Sequence, residues 1–227
     1  MPNGDLNAVV SSESVRVADV GSPSQPLYGF VAVLDALGAK AYSREEAEEF
    51  LKARDEIMRL LIDVAPDTFR VDKDDLKVFT FNDSIILTYV RKAKDLTTND
   101  VNGFCGLLRS FEVSFLLKRI LFRGAVSIGD LYRVDPNTNT VMGPAVSDAA
   151  DWYERADWIG INLTPRASIL IGAGLQEKPT ALDHVLVDYQ VPLKEQCLSE
   201  IRCLRVIRVE ASTVLRSTAA SGAAAIW

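Results

Sequence analysis

Histidine is almost absent from this chain of 227 residues, with His184 as its single representative. One imidazole makes a histidine-based catalytic triad, or a zinc site with several histidine ligands, a poor explanation of the chain. Cysteine is also scarce and lacks the paired spacing of a zinc site, and its three positions are Cys105, Cys197 and Cys203. An odd number of unpaired cysteines favours reduced, buried thiols in a reducing compartment.

Long apolar runs and positive charge are the other deficits. No window approaches the roughly 18 uninterrupted apolar residues of a membrane-spanning helix. A secretory signal would begin with a positively charged segment, but no Lys or Arg precedes Arg16. Lys and Arg number 25 against 31 Asp and Glu, a net charge of -6. Nucleic-acid binding needs dense cations, so we expect a cytoplasmic protein with no nucleic-acid or membrane partner. A polyanionic small substrate stays compatible, since bound metal inverts the local field.

The apolar share of 48% and the charged share of 25% are typical of a globular domain. Residues 1–26 are rich in Ser, Asn, Gly and Pro with little apolar periodicity, and we predict a flexible N-terminal arm there. We predict a folded domain over 27–216. The small, weakly patterned residues of 217–227 are predicted to form a C-terminal tail.

Apolar patterning predicts an α+β fold. A buried strand over 28–35 is followed by a long amphipathic helix over 43–64, which opens on the capping-box pair Ser43 and Glu46. Two strands separated by only Asn82 and Asp83 then form a hairpin. The later predicted elements are, in chain order, a helix over 101–119, a strand over 121–128, a turn at 129–130, a loop over 135–139, a helix from 143 to 158, a helix over 165–173, and strands over 185–189 and 201–209. This order predicts the ferredoxin-like, split βαβ plan, an antiparallel sheet with helices packed on one face.

Asp35 and Asp83 stand out because each interrupts an apolar strand end. In the split βαβ plan the first strand lies beside the central hairpin, so the two carboxylates can converge. Buried carboxylates need cations, or at least strong hydrogen-bond donors. Mg²⁺ or Mn²⁺ prefers such oxygen ligands together with substrate phosphates. The alternative is that Asp35 caps the following turn and Asp83 occupies a hairpin position where Asp is common.

At these residues the sequence resembles the class III nucleotide cyclases. The segments that resemble the family, in the family's order, are 30–38 with Asp35, 79–84 with Asp83, 123–129, and 143–150. Among such proteins the chain is most similar to the bacterial pyrimidine cyclases of the Pycsar anti-phage system, which make cyclic CMP or cyclic UMP as an infection alarm. The resemblance implies that Asp35, Asp83 and the backbone carbonyl of Ala36 hold two divalent cations, with Mn²⁺ favoured and Mg²⁺ possible.

The departures from the purine cyclases concern the base. The family's adenine-reading Lys and Asp fall on Phe79 and Thr140, which lack charge but can stack on and hydrogen-bond a smaller base. A pyrimidine triphosphate is therefore expected. The family's transition-state Asn and Arg fall on Ser147 and Asp151, so that role is not transferred to this chain.

The phosphate charge then needs a cation from elsewhere. Arg123 is the first candidate and Arg155 the second; the alternatives are a salt bridge to a nearby carboxylate for Arg123 and an i,i+4 pair with Asp151 for Arg155. The amides that follow the first strand, among them those of Leu37 and Gly38, are expected to cradle phosphate oxygens. Lys40 either assists there or is a solvated surface charge.

The resemblance implies a homodimer with shared active sites that converts UTP to 3′,5′-cyclic UMP and pyrophosphate in anti-phage defence. Asp35, Asp83 and Arg123 are the expected catalytic residues. The alternatives, in order, are a cytidylate cyclase, a purine nucleotide cyclase, and a catalytically inactive nucleotide-binding module. An interaction scaffold remains a further alternative, in which both aspartates would tolerate replacement by Asn.

Overall fold

The computed structural model of the protein describes residues 27–91, 97–174, 185–194 and 204–207. The predicted arm over 1–26 and tail over 217–227 lie outside these ranges, as do His184, Cys197 and Cys203. Within the described ranges, no helix is both long and apolar enough to cross a membrane.

The described elements follow one another as β1 Leu27–Ala36, α1 Arg44–Phe69, β2 Leu76–Phe81, β3 Ser84–Arg91, α2 Thr98–Leu117, β4 Phe122–Leu131, β5 Arg133–Asp135, β6 Thr140–Met142, α3 Pro144–Arg155, β7 Gly160–Leu163, α4 Pro165–Gly174, β8 Leu186–Tyr189 and β9 Leu204–Ile207. Seven strands form one sheet in the order β2-β3-β1-β4-β7-β9-β8. Among the described strands, β4 and β7 are the one pair that runs parallel. The predicted α+β, split βαβ architecture with an extended sheet is confirmed.

Strand β1 lies at the centre of this plan. It pairs antiparallel with β3 on one side and with β4 on the other. Its five residues from Phe30 to Leu34 are at most 4% exposed, because both faces of the strand are covered. A continuous apolar run of this length is typical of a strand buried on both faces.

Helices α1 and α2 begin at capping boxes. Ser43 accepts a hydrogen bond from the Glu46 amide while Glu46 bonds back to the Ser43 amide at 2.7 Å, which confirms the predicted start of α1. Thr97 and Asp100 form the same reciprocal pair at the start of α2. Each box satisfies two of the amides that a helix start leaves without a partner.

Helices cover both faces of the sheet, so the expectation of a single helical face is wrong for α3. Phe30, Ala32 and Leu34 of β1 pack in the core formed with α1, α2 and α4. Val31 and Val33 point the other way and pack against Ala145 and Ala149 of α3. The alternation of a strand forces this division.

Three further predictions need correction. Gly129 and Asp130 do not form a turn but continue β4, because β1 pairs with β4 as far as Leu27 opposite Leu131. Helix α3 ends at Arg155 and not at residue 158, since Ala156 is extended and bridges to Leu193. The loop over 135–139 contains a 3₁₀ turn, Pro136–Thr138, which connects the small hairpin of β5 and β6. Strand β7 was not predicted at all.

Cys105 is buried in α2 as a free thiol, and its burial raises the pKa of that thiol to about 12. The prediction of a reduced, buried thiol is confirmed for this cysteine. A thiol with so high a pKa is a poor nucleophile and metal ligand.

Replacement of Phe111 by Ala should destabilise the fold strongly. Its ring lies 4.5 Å from that of Phe115 and 5.2 Å from that of Phe122, centroid to centroid, and joins α2 to β4. A fully buried Phe→Ala change costs about 3–5 kcal/mol. Chemical denaturation should show this loss, whereas Leu60→Ala, at a side chain 58% exposed on α1, should change the free energy of unfolding by about 0.5 kcal/mol or less. Similar losses for both variants would contradict the described core.

Glu112 of α2 gives the stability a pH dependence. Its Oε2 atom is buried and has no hydrogen-bond partner among the residues that the structure describes, and burial raises the pKa of the carboxyl from 4.5 to about 7. The unfolded chain therefore loses this proton at lower pH than the folded one. Its pH-dependent cost is absent well below pH 4.5, grows as the pH rises from 4.5 toward 7, and is complete above about 7.

We predict that Glu112→Gln stabilises the protein more at about pH 8 than at about pH 5, by about 2 kcal/mol in the free energy of unfolding. Thermal or urea unfolding at the two pH values measures this difference. Glu49→Gln, at an exposed position of α1, is the matched control and should show no such dependence. Equal gains for Glu112→Gln at both pH values would rule out a buried, protonated Glu112.

Candidate functional site

The candidate site lies on one rung of the sheet that crosses three strands. Asp35 of β1 stands opposite Ser84 of β3 and opposite Arg123 of β4. Side chains of directly paired residues lie on the same face of a sheet. The three polar groups are therefore neighbours, on the face that α3 covers.

Both oxygens of the Asp35 carboxylate have partners. Arg123 donates to Oδ2 from Nη2 at 3.0 Å and from Nε at 3.2 Å, and the Ser84 hydroxyl donates to Oδ1 at 3.3 Å. The side chains of Arg123 and Asp35 are 22% and 17% exposed. The salt bridge considered as an alternative for Arg123 is thus present, and its partner is the predicted metal ligand.

Tyr153 of α3 completes this cluster. The Arg123 guanidinium carbon lies 5.5 Å from the centre of the Tyr153 ring, a cation–π distance. Burial and then the negative charge of Asp35 raise the pKa of Tyr153. Arg123 is therefore held between a carboxylate and an aromatic ring.

Asp83 lies in the two-residue turn that follows β2. Its backbone carbonyl accepts a hydrogen bond from the Ala36 amide at 3.2 Å, which joins the hairpin tip to the end of β1. The Asp83 carboxylate makes no hydrogen bond or ion pair with the residues that the structure describes. It lines a cavity of about 390 Å³ together with Ala39, Lys40, Tyr42, Ala47, Phe50, Leu51 and Asn82.

The two aspartates thus meet through their backbones, while their carboxylates have different surroundings. Asp35 is engaged by Ser84 and Arg123, and Asp83 faces the cavity beside Tyr42, where burial, Glu46 and then Asp83 raise the pKa of the phenol. The convergence of both carboxylates on the same ions stays a prediction.

The donor set nevertheless fits a hard divalent cation. The Asp35 carboxylate already binds a cationic group, the Arg123 guanidinium. The Asp83 carboxylate has no ion pair among the described residues, and the Asp83 backbone is hydrogen-bonded to Ala36, the residue after Asp35. Among the described residues no three His, Cys, Asp or Glu side chains group as a metal site. A cation here would therefore need oxygens from outside the side chains, such as backbone carbonyls and substrate phosphates, which is how Mg²⁺ is usually bound. The backbone carbonyl of Ala36 stays a predicted ligand.

The structure corrects the expected phosphate cradle at Leu37. The Leu37 amide already donates to the Leu121 carbonyl at 2.8 Å and so is not free for a phosphate. Gly38 has φ of 82°, a conformation that glycine adopts without strain, and it starts the 3₁₀ turn Ala39–Ala41. Only the amides beyond Leu37 remain available in this segment. Lys40 lines the cavity with Asp83.

The two expected base-reading residues lie on connected elements. The Asn139 side chain, next to Thr140, donates to the Thr80 carbonyl, next to Phe79, at 3.0 Å and ties the β5–β6 hairpin to edge strand β2. The Thr140 hydroxyl donates to the Thr138 carbonyl and is half-buried. Phe79 is only 1% exposed, so a base cannot stack on its ring in this conformation, and that expectation is not supported.

Arg155 does not join the candidate site. Residues two apart on a helix point about 200° from each other, so Arg155 is turned away from Tyr153 and the Asp35 rung. Its guanidinium carbon lies 5.3 Å from the centre of the Trp152 ring. The alternative pair with Asp151 is not formed either, since Arg155 stacks on Trp152 instead.

Three residues near the site were missed from the sequence. Ser84 and Tyr153 contact Asp35 and Arg123 as described. Asp148 of α3 accepts hydrogen bonds at Oδ2 from Ser127 at 2.6 Å and from Thr164 at 2.7 Å, which fastens α3 to β4 and to the start of α4. Ser84 had a usable signal, since it follows Asp83 and starts a strand that pairs with β1. Tyr153 and Asp148 depend on which face of α3 meets the sheet.

Known proteins share this arrangement of strands and helices. No protein-family model and no curated protein sequence matches the chain. The structure resembles the adenylyl cyclase CyaB from P. aeruginosa, with a TM-score of 0.52 and 10% identity over 82% of this chain and 96% of that one. It also resembles the monomeric guanylyl cyclase domain of the RhoGC fusion protein from the aquatic fungus Blastocladiella emersonii, with a TM-score of 0.52 and 10% identity over 82% and 98% of the two chains. The chain therefore has the fold of class III cyclase catalytic domains, and the low identity limits the conclusion to the fold.

Asn82 sets the geometry of the turn that carries Asp83. Its φ of 53° lies in the left-handed region, which Asn tolerates and β-branched residues do not. We predict that Asn82→Val destabilises the protein by about 1–2 kcal/mol in urea unfolding and that Asn82→Gly is close to neutral. Thr80→Val, a β-branched replacement in the adjoining strand, is the control and should have little effect. A tolerated Asn82→Val would show that the turn is not held in this conformation.

Proposed function

We propose that the protein is a pyrimidine nucleotide cyclase that converts UTP to 3′,5′-cyclic UMP and pyrophosphate. The observation that carries the proposal is the meeting of three groups at one end of the central strands of a cyclase fold. Asp35 and Arg123 are paired across neighbouring strands of the sheet and form an ion pair. Ala36, the residue after Asp35, donates a backbone hydrogen bond to Asp83 at the hairpin tip.

In this proposal the carboxylates of Asp35 and Asp83 and the carbonyl of Ala36 hold two divalent cations, with Mn²⁺ favoured and Mg²⁺ possible. When bound, such ions lower the pKa of the ribose 3′-hydroxyl and neutralise the triphosphate. The Arg123 guanidinium supplies a fixed positive charge for a phosphate oxygen. In ring closure the 3′-hydroxyl gives its proton to solvent, its oxygen bonds to the α-phosphorus, the bond from that phosphorus to the bridging oxygen breaks, and pyrophosphate leaves.

A pyrimidine base is proposed because the two positions expected to read adenine carry no charge. Phe79 and Thr140 replace a Lys and an Asp of the purine cyclases, and Phe79 is buried. Thr140 is half-buried and so is the more accessible of the two positions. Its hydroxyl would donate to a base only after giving up its hydrogen bond to the Thr138 carbonyl. Cytidylate cyclase activity is the first alternative and purine cyclase activity the second.

A catalytically inactive nucleotide-binding module is the second candidate function. The observation in its favour is that Ser147 and Asp151 stand where the family has its transition-state Asn and Arg, and both are exposed on α3. Such a module would bind a triphosphate with metal and release no cyclic product.

We further propose a homodimer with shared sites that acts in the cytoplasm in anti-phage signalling. Exposed apolar side chains support a partner surface near the edge strand: Phe81 of β2 is 43% exposed and Met142 of β6 is 58% exposed. The β5–β6 hairpin and β2 are joined by the bond from Asn139.

The decisive experiment is incubation of the purified protein with each of the four nucleoside triphosphates and Mn²⁺, followed by chromatographic separation of the products. We expect cyclic UMP to dominate. A predominance of cyclic CMP would move the assignment to a cytidylate cyclase, and predominant cyclic AMP would overturn the argument on the base.

Substitutions then test the residues. Asp35→Ala and Asp83→Ala should each lower product formation by at least about 100-fold, because each removes a ligand of the ions that stabilise the developing charge. Asp63→Ala is the matched control, since this aspartate is 62% exposed on α1 and pairs only with Lys73. Full activity in either of the first two variants would refute the proposed site.

A further inference from the structure

Arg123 is held by two groups of different chemistry. On one side is the negative carboxylate of Asp35, 3.0 Å from Nη2. On the other side is the neutral ring of Tyr153, with its centre 5.5 Å from the guanidinium carbon. Both contacts are partly shielded from water, which makes them stronger than the same contacts on an open surface.

The proposed function sets these two contacts in competition with a metal ion. Oδ2 of Asp35 accepts two hydrogen bonds from Arg123, and Oδ1 accepts one from Ser84. A divalent cation and a guanidinium on the same carboxylate oxygen would repel each other. A divalent cation on either oxygen of Asp35 would draw negative charge away from Arg123 and repel the guanidinium, so its binding favours release of Arg123 from Oδ2.

The Tyr153 contact does not depend on that carboxylate. The ring packs against two separate clusters, one with Trp152 and Ala125 and the other with Val33 and Ala149. Its hydroxyl contacts Glu154 at 3.4 Å. A ring fixed on both sides stays in place when Asp35 changes partner, and its attraction for a cation is unaffected by the loss of the ion pair.

We propose that Tyr153 is a positioning residue, whose ring keeps the Arg123 guanidinium beside the site after a divalent cation has displaced it from Asp35. The released guanidinium then has free donors for a triphosphate oxygen. This inference rests on the proposed function, because it assumes that Asp35 binds the metal. It adds a residue of α3, and an exchange of cations at Asp35, to that function.

The first test measures Mn²⁺ binding without nucleotide, by the electron paramagnetic resonance signal of the free ion. Arg123→Gln removes the competing cation, so Mn²⁺ should bind about 3- to 10-fold more tightly than to the wild type. A merely structural ion pair predicts the opposite, because its loss would loosen the site. Unchanged or weaker Mn²⁺ binding by Arg123→Gln would overturn the exchange.

The second test measures the affinity of a non-cyclisable UTP analogue at saturating Mn²⁺. Tyr153→Leu keeps the bulk but removes the ring, and it should weaken binding by about 5-fold. Tyr153→Phe keeps the ring and should restore the affinity. Tyr132→Leu, at a tyrosine 66% exposed elsewhere, is the matched control. Wild-type affinity in Tyr153→Leu, or a loss in Tyr153→Phe equal to that in Tyr153→Leu, would overturn the role of the ring.

These measurements separate the inference from the proposed function. Both use binding alone, so they give a result even if the wild type forms no cyclic product. Absence of cyclic product with tighter Mn²⁺ binding by Arg123→Gln would sink the cyclase activity and support the exchange. Absence of Mn²⁺ binding in the wild type and in Arg123→Gln would overturn both. Thermal unfolding of each variant shows that the fold is retained, and Tyr153→Phe covers the case in which Tyr153→Leu fails to fold.

Discussion

The pairing of β1 with both β3 and β4 is the constraint on which the site depends. One register places Asp35 opposite Ser84 and opposite Arg123, and the same register places Phe30, Ala32 and Leu34 in the larger core. A shift of the strand register by one residue would place the Asp35 carboxylate in the larger apolar core and move Phe30, Ala32 and Leu34 to the other face of the sheet. The apolar packing of β1 therefore fixes the position of its one charged residue.

The surroundings of the two aspartates differ because Asp35 lies within strand β1, whereas Asp83 lies in the turn between β2 and β3. Asp35 is still within the ladder, so its carboxylate meets side chains of both neighbouring strands. Asp83 is in the turn, where no neighbouring strand supplies a counterion, and its carboxylate faces a cavity. The Asp83 carboxylate therefore lacks an ion pair among the described residues, whereas the charge of Asp35 is balanced by that of Arg123.

Sequence patterning predicted the elements whose signals are local. The capping box of Ser43 and Glu46 and the two-residue turn at Asn82 and Asp83 each depend on residues a few positions apart. Sequence patterning did not predict the features that depend on packing between segments far apart in the chain. Strand β7 has only four residues and no alternation, because it is buried on both faces beside β4. The face of α3 that meets the sheet, and with it the contact of Tyr153 with Arg123, is set by small residues such as Ala145 and Ala149 that give no functional signal.

The role of α3 follows from that packing. Ser147 and Asp151 lie one turn apart on its exposed face, whereas Ala145, Ala149 and Trp152 are buried against the sheet. Neither Ser147 nor Asp151 supplies a positive charge, and Arg155, one turn further on, lies against Trp152. The cation that contacts Asp35 comes instead from β4. Since Arg123 reaches Asp35 from a strand, only a residue on the inner side of α3 can contact it. Tyr153 is that residue, so the helix acts on the site through an aromatic ring and not through a charge.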